Sequence, residues 1–332
     1  MEITVVNAVG ETSEINLEDG ENSDDLPVNN TADVVTLPLS YEENDIPPAK
    51  MFKIDVVAPP LSDEDVCVCL NFFGHGGYQT TVGEDLNLAV SQPAVSRIIT
   101  NISNIITVHL LHRYVRFSTT DDEIRRVKQQ FLENQNFPNA IGAIDGTHVA
   151  IFSPKVDDPI YPAVAYLNRK GYHSINVQAI FDANIMLLNV NARFPGATHD
   201  SGIWETSCIH RHLRRKYEEG RHNTWLLGDS GYPLQPWLMT PIIDAAPNTP
   251  EGHYTTRHIH ARNVGERGNG VWKGRFRCLK RIARYNIPEV DIDDDDDNVE
   301  HDNLHQPVNP DVNILAEARI IRRRLVNQLA HN

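Results

Sequence analysis

Apolar and polar positions change rhythm twice along this chain. The first 58 residues show no sustained apolar period. Between 61 and 134 apolar residues recur at helical spacing, and from Asn139 they gather into short β-rich runs divided by turn residues. Amphipathic helices give the first of these periodic patterns and strands the second.

The helical stretch predicts three elements. A helix over 61–73 starts with Ser62 before Asp63, Glu64 and Asp65, where acids suit a helix N-terminus. Gly74, Gly76 and Gly77 end it. Residues 80–103 read as two helices joined by a tight turn. Ser91 caps the second, Pro93 lies in its first turn, and Val95, Ile98 and Ile99 form its apolar face. Gln92, Ala94, Arg97 and Thr100 are left exposed. That is the pattern of a helix-turn-helix and equally of a plain helical hairpin. An amphipathic helix over 120–134 closes the region.

Four runs beyond Asn139 predict strands: AIGAIDGTHVAIF, SINVQAIFD, IMLLNVNARF and TWLLGDS, with a hairpin turn at 182–184. Residues 200–219 and 261–285 read as helices. Gly265, Gly268, Gly270 and Gly274 weaken the latter, each by about 1 kcal/mol relative to Ala. DIDDDDDNVEHDN reads as a solvated linker. A last helix over 312–329 is either a docking helix or, through Arg322, Arg323 and Arg324, a basic import signal. The chain is therefore expected to hold a disordered acidic segment (1–58), a small helical, helix-turn-helix-like domain (59–136), an α/β domain (137–287), and a linker with a terminal helix (288–332).

Charge sharpens this division. The 332 residues sum to −15, but 1–60 hold 13 acidic and 2 basic side chains and 286–332 hold 11 and 4, while 61–285 hold 21 and 24. The foldable middle is slightly basic between acidic ends. No apolar run approaches a membrane span, and MEITVVNAVGETSE lacks the basic and apolar regions of a secretory signal. Cys67, Cys69, Cys208 and Cys278 form no CxxC pair and no zinc spacing, so reduced, intracellular thiols are expected.

Four carboxylates carry the candidate chemistry. Asp145 follows an apolar run, Asp229 ends one, Asp200 stands in PGATHDSGIW, and Glu266 is the only acid among nine Lys and Arg of residues 257–284. Cleaving a phosphodiester needs an activated nucleophile and a stabilised leaving oxygen, and two divalent ions about 3.5–4 Å apart supply both. Carboxylates without a His/Cys cluster favour Mg²⁺ or Mn²⁺ over Zn²⁺. The basic surroundings suit a polyanion, with Arg97, Arg257, Arg262, Arg267, Lys273, Arg275 and Arg277 as candidate DNA contacts. Trp272 and Phe276, four apart, read as core. Each acid taken alone reads better as a turn or cap residue than as a catalytic one. If the four converge, two unit charges 4 Å apart repel by about 4 kcal/mol at an effective dielectric near 20, so a cation or Arg partner must accompany them.

GAIDGTH, NRKGYHSINVQAIFD, FPGATHDS, WLLGDSGYPLQPWLMTP and ER-x₃-GVWKGRFRCL, in this order over residues 137–285, resemble the PIF/Harbinger superfamily of transposases and the nucleases derived from them. SQPAVSRII resembles the helix-turn-helix upstream of that catalytic domain. The resemblance implies an RNase H-like domain with a DDE-type site. Asp145, Asp229 and Glu266 would be the acidic triad, and Asp200 a further metal-site acid. It also implies a divalent metal cofactor, DNA and a Myb-like protein as partners, no membrane partner, and a nuclear and cytoplasmic location. Two departures stand out. Gly268–Gly270 replace an aromatic-containing string, and after Pro288-Glu289 an acidic linker replaces an apolar helix ending near LHN. The expected function is a metal-dependent DNA endonuclease of transposase origin. The competing expectation is a catalytically silent DNA- or protein-binding module.

Overall fold

The computed structural model describes residues 2–6 and 12–16 by their backbone, and 62–77, 79, 82, 90–156, 162–280 and 312–330 in full or nearly so. The acidic linker, and the first helix of the anticipated helix-turn-helix, lie outside the described residues. Two units are distinguished. In the first, strands β1 (Glu2–Val6) and β2 (Thr12–Asn16) pair antiparallel, where the sequence showed no regular element.

The second unit begins with helix α1 (Asp63–His75). Ser62 caps it reciprocally with Asp65, and Gly76 closes it in the left-handed conformation at φ 64°. Helix α2 (Gln92–Ile105) has Ser91 in the N-cap conformation and Pro93 in its first turn. It then runs on through a π-helical turn, Ile106–Leu110, to Tyr114. The helices meet through Val68, Val82 and Val95. This continuation overturns one expectation. Gln92–Tyr114 is a 23-residue helix with a mean hydropathy of 1.3, long and apolar enough to cross a membrane by length and composition. Its polar positions are mostly uncharged Ser, Thr, Asn and His, which break the apolar run in sequence but lower its hydropathy little. One such helix does not by itself place the chain in a bilayer.

Helix α3 (Asp121–Gln135) carries a capping box between Thr120 and Glu123 and ends at Asn136, φ 52°. The sheet follows. Strands β3 (Ala140–Ala150), β4 (Ser174–Phe181) and β5 (Leu187–Pro195) form an antiparallel meander, and the parallel strands β6 (Trp225–Leu227) and β7 (Leu238–Met239) extend it on the other side of β3. The order is β5-β4-β3-β6-β7. Three antiparallel strands followed by two strands parallel to the first make this sheet RNase H-like. Asp182 builds the β4–β5 turn at the expected place by accepting the backbone N–H groups of Asn184 and Met186 at 2.8 Å.

The helices on the sheet depart from expectation in three ways. After the single turn α4 (Ala163–Tyr166), the helix expected over 200–219 is two, α5 (Asp200–Thr206) and α6 (Cys208–Glu218). Ser207 separates them with extended backbone at ψ 149°, and its side chain accepts the N–H of His210. Helix α7 (Pro250–Arg275) begins eleven residues before the expected start and ends ten before the expected end. Thr249 caps it, Pro250 lies in its first turn, and Tyr254 and His258 anchor its first half by donating to the carbonyls of Thr240 and Met239. The last helix, expected over 312–329, is α8 (Val312–Ala330). It packs on α7 and puts Leu325, Val326 and Leu329 into the main core, while Arg322 donates to the carbonyls of Thr240 and Pro241. Of the two roles open to this helix, its packing on α7 and in the main core supports docking.

Candidate active site

The site forms where β3 outruns its neighbour. Pairing with β6 ends at Ala143↔Leu227, while pairing with β4 continues to Ala150↔Ser174. Asp145 lies just past that last parallel pair, and Asp229 two residues beyond the end of β6. Carboxylates thus gather at the C-terminal edge of two adjacent parallel strands, where α/β sheets commonly bind ligands. The Gly231 N–H donates to Asp229 Oδ1 at 2.9 Å and fixes the turn that follows.

Helix α7 crosses β3 and β4 and supplies the third acid. Its glycines serve this crossing. A Cβ on Gly265 would lie 3.2 Å from the Asp145 Cβ, and one on Gly268 would lie 2.6 Å from the Phe181 ring. The helix gives up intrinsic stability here and gains close approach. The Phe181 ring already fills the space a side chain at 268 would need, which accounts for the small residue in place of the anticipated string. Asn269 then donates to Asp145 Oδ2 at 2.8 Å.

Arg262 lies one turn before Glu266 on α7 and only 15% of its side chain is exposed. Its guanidinium is 3.6 Å from Asp145 Oδ1 and bonds to Glu266 Oε1. Its charge also interacts with Asp229. Two carboxylates, one from a strand and one from the helix itself, therefore contact one cation, and a third from a strand edge acts on it by charge.

Asp200 is placed differently. It opens α5 and accepts the Asn176 amide at 2.8 Å. A Cβ on Gly146 would lie 2.5 Å from Asp200 Oδ1, so the missing side chain makes room for that carboxylate. Neighbouring strand residues face opposite sides. Asp145 faces α7, and Asp200 covers the other face at Gly146. Gly146→Ala is expected to push Asp200 off Asn176 and to lower affinity for Mn²⁺ by about 10–100-fold, as loss of an outer support does. Titration calorimetry checks this, and unchanged affinity would remove Asp200 from the site.

Electrostatics follow from this crowding. Burial pushes the Asp145 carboxyl up to about 7, with Asp229 and Asp200 adding to the rise while Arg262 and Asn269 oppose it. Burial also raises Asp200, the Asn176 bond opposing and Asp229 adding. Burial carries the Tyr232 hydroxyl well above its usual range, helped by the same three aspartates. The Gln178 amide donates to that hydroxyl at 3.4 Å.

The candidate DNA contacts separate. Arg97, Arg267, Arg275 and Arg277 are exposed. Lys273 donates to the His148 carbonyl at 3.0 Å, and Arg257 buries an Nη1 that has no hydrogen-bond partner among the described residues. Arg262 is turned into the acids rather than outward because residues four apart share one helix face. Phe276 is 39% exposed and meets Phe73 edge-on at 6.3 Å rather than entering the core.

Asn176, Asn269, Tyr232 and the role of Arg262 were not anticipated. Helical spacing links Arg262 to Glu266 in sequence, but nothing there reveals that Asn269 reaches a strand 124 residues away.

Residues 144–293 match the family described as DDE superfamily endonuclease. Over these residues the chain is similar to DDE superfamily endonucleases. The chain is 32% identical over 219 residues to the human protein named putative nuclease HARBI1, covering 65% of this chain and 59% of that one. It is 26% identical over 246 residues to the Arabidopsis thaliana protein ALP1-like, covering 70% and 58%. The chain thus spans less than two thirds of the length of the curated relatives it matches. A Mos1 transposase paired-end complex covers 67% of this chain and 76% of its own at 16% identity and a TM-score of 0.20, a likeness too slight to argue from. The RNase H-like assignment of the DDE domain rests on its sheet order.

DDE domains typically use divalent metals, and the donors here suit one. They are hard carboxylate oxygens, joined by two buried carboxamide oxygens, Asn176 Oδ1 and Asn269 Oδ1, that have no hydrogen-bond partner among the described residues. The spacing is less complete: no three His, Cys, Asp or Glu of the described residues gather into a group that would hold a metal. Between Asp145 and Glu266 stands the Arg262 guanidinium.

Proposed function

We propose that the DDE domain is a divalent-metal-dependent DNA endonuclease that hydrolyses phosphodiester bonds. The observation that carries this reading is the Arg262 guanidinium held between Asp145 and Glu266, with the charge of Asp229 acting on both Arg262 and Asp145. Ordinary turn and cap carboxylates have no reason to accumulate mutual repulsion in a buried place. A Mg²⁺ or Mn²⁺ ion, when bound, supplies Lewis acidity and charge neutralisation at the scissile phosphate. Asp145 presents ligand oxygens from within β3 and Asp229 from just past the end of β6. Glu266, 36% exposed against 16% for Asp145, completes the site on the solvent side, where an attacking water enters in line with the phosphate. Asp200, held by Asn176, supports from the opposite face. The exposed Arg267, Arg275 and Arg277 lie further along α7 and just past its end, positions suited to DNA phosphates. A Myb-like DNA-binding partner and a nuclear and cytoplasmic location belong to the same reading, on the strength of the sequence resemblance.

The absence of a ready three-donor group among the described residues favours a second reading, a silent DNA-binding module. The two separate on one assay. The full chain with supercoiled plasmid is expected to nick DNA with Mn²⁺ and to stop with a chelator. Salt-dependent DNA binding without any nicking would favour the silent module.

A further inference from the structure

The acids of this site are not held apart by solvent. Arg262 is 15% exposed, within 3.6 Å of Asp145, and bonded to Glu266 one turn further along the same helix. Burying a guanidinium is costly unless carboxylates repay it. Here the repayment runs both ways, because the acids also need a cation. A guanidinium differs from a metal ion in what it can organise. It offers five N–H donors in a planar fork, so it holds carboxylates at hydrogen-bond distance and on separate edges. A divalent ion draws oxygens to roughly 2.0–2.2 Å around one point. The missing three-donor group is what an arginine in that position produces.

A second observation is independent of the ion pair. Asn176 and Asn269 each use their amide nitrogen on a site carboxylate, and each leaves a buried Oδ1 without a partner among the described residues. Buried acceptors without donors cost roughly 1–3 kcal/mol each. The one on Asn269, the residue that bonds Asp145, is on the Arg262 side of β3 and leaves that side an acceptor unused by Arg262; the one on Asn176, the residue that bonds Asp200, is on the opposite side.

We propose that Arg262 is an exchangeable counter-ion. In the metal-free protein it ties Asp145 to Glu266; when a divalent ion binds, Arg262 releases Asp145 and stays on Glu266. This rests on the metal-dependent reading above. Arg262 is then a positioning residue, setting how tightly the site takes its metal and holding Glu266 while the strand carboxylates regroup. Keeping it has a clear advantage: the metal-free acids never face one another uncompensated.

The test compares wild type with Arg262→Met, which keeps most of the stem and loses the charge. Mn²⁺ binding is followed by calorimetry and by the metal-induced rise in Tm. The variant is expected to melt lower without metal, yet to bind Mn²⁺ roughly tenfold or more tighter, because a like charge has left the site. Equal or weaker binding by the variant overturns the exchange and leaves Arg262 as a structural brace for Glu266. If wild type binds no Mn²⁺, the exchange and the metal-dependent nuclease reading fall together. If the variant does not fold, the Arg262 Nε–H resonance of wild type decides. It is expected to move as Mg²⁺ is added, with the midpoint seen by calorimetry. A resonance that stays still overturns the proposal.

Discussion

Asp145→Asn is expected to abolish Mn²⁺-dependent nicking while leaving the protein folded. Removing an outer hydrogen-bond partner of a metal ligand already costs about 10–100-fold. Asp145 is proposed as a ligand itself, so the loss is expected to exceed that range. The geometry explains why folding survives. Asparagine has the same shape, and its neutral amide adds no charge facing Asp229 and Asp200, the acids that raise Asp145. Arg262 keeps Glu266 as a partner. Plasmid nicking measures the first half and circular dichroism the second. A folded variant that still cuts DNA with Mn²⁺ would remove Asp145 from the chemistry.

The second large effect is on stability. In the unfolded chain Asp145 ionises near 3.8, and in the fold its pKa is pushed up to about 7, by burial first and by Asp229 and Asp200 after it. Below pH 3.8 both states are protonated and the group takes nothing from stability. Between the two values the unfolded chain releases a proton that the fold retains, so stability falls as pH rises, and it levels off above about 7. Three units correspond to about 4 kcal/mol, an upper figure because the group is coupled to two other acids. Urea unfolding of metal-free wild type and Asp145→Asn between pH 4.5 and 7.5 isolates this contribution from that of every other carboxylate. Wild type is expected to lose stability relative to the variant across that range. Saturating Mn²⁺ is expected to restore it near pH 7, since a bound cation favours the ionised form. A constant difference would mean that Asp145 ionises normally in the fold.

Both effects trace to features that were unequally visible in the sequence. The strands β3 to β6 were legible because apolar runs with turn signals between them leave little other choice, and the 182–184 turn was legible from its Asp. The same runs placed Asp145 inside or just past a strand and Asp229 at a strand's C-terminal edge. Helix α7 was misjudged at both ends. Its glycines argued against helix on propensity, but in the fold Gly265 and Gly268 allow contact with Asp145 and Phe181. Its true start depends on Tyr254 and His258 bonding to carbonyls near β7, partners that no local pattern reveals. Helix α8 was seen as a helix, with docking as one of two roles. Only packing shows that Leu325, Val326 and Leu329 close the main core from beyond an acidic linker.

The sequence by itself determined that Asp145 and Asp229 follow apolar strand runs, the basic setting of Glu266, and the likeness of residues 144–293 to DDE superfamily endonucleases, because local period and ordered strings encode these directly. Tertiary structure alone decided how the acids relate. It set Arg262 between Asp145 and Glu266, gave Asp200 to Asn176 on the other side of β3, and brought Asn269 to Asp145. Those are long-range relations between charges, and charge energy depends on distance and burial, which a linear pattern does not contain.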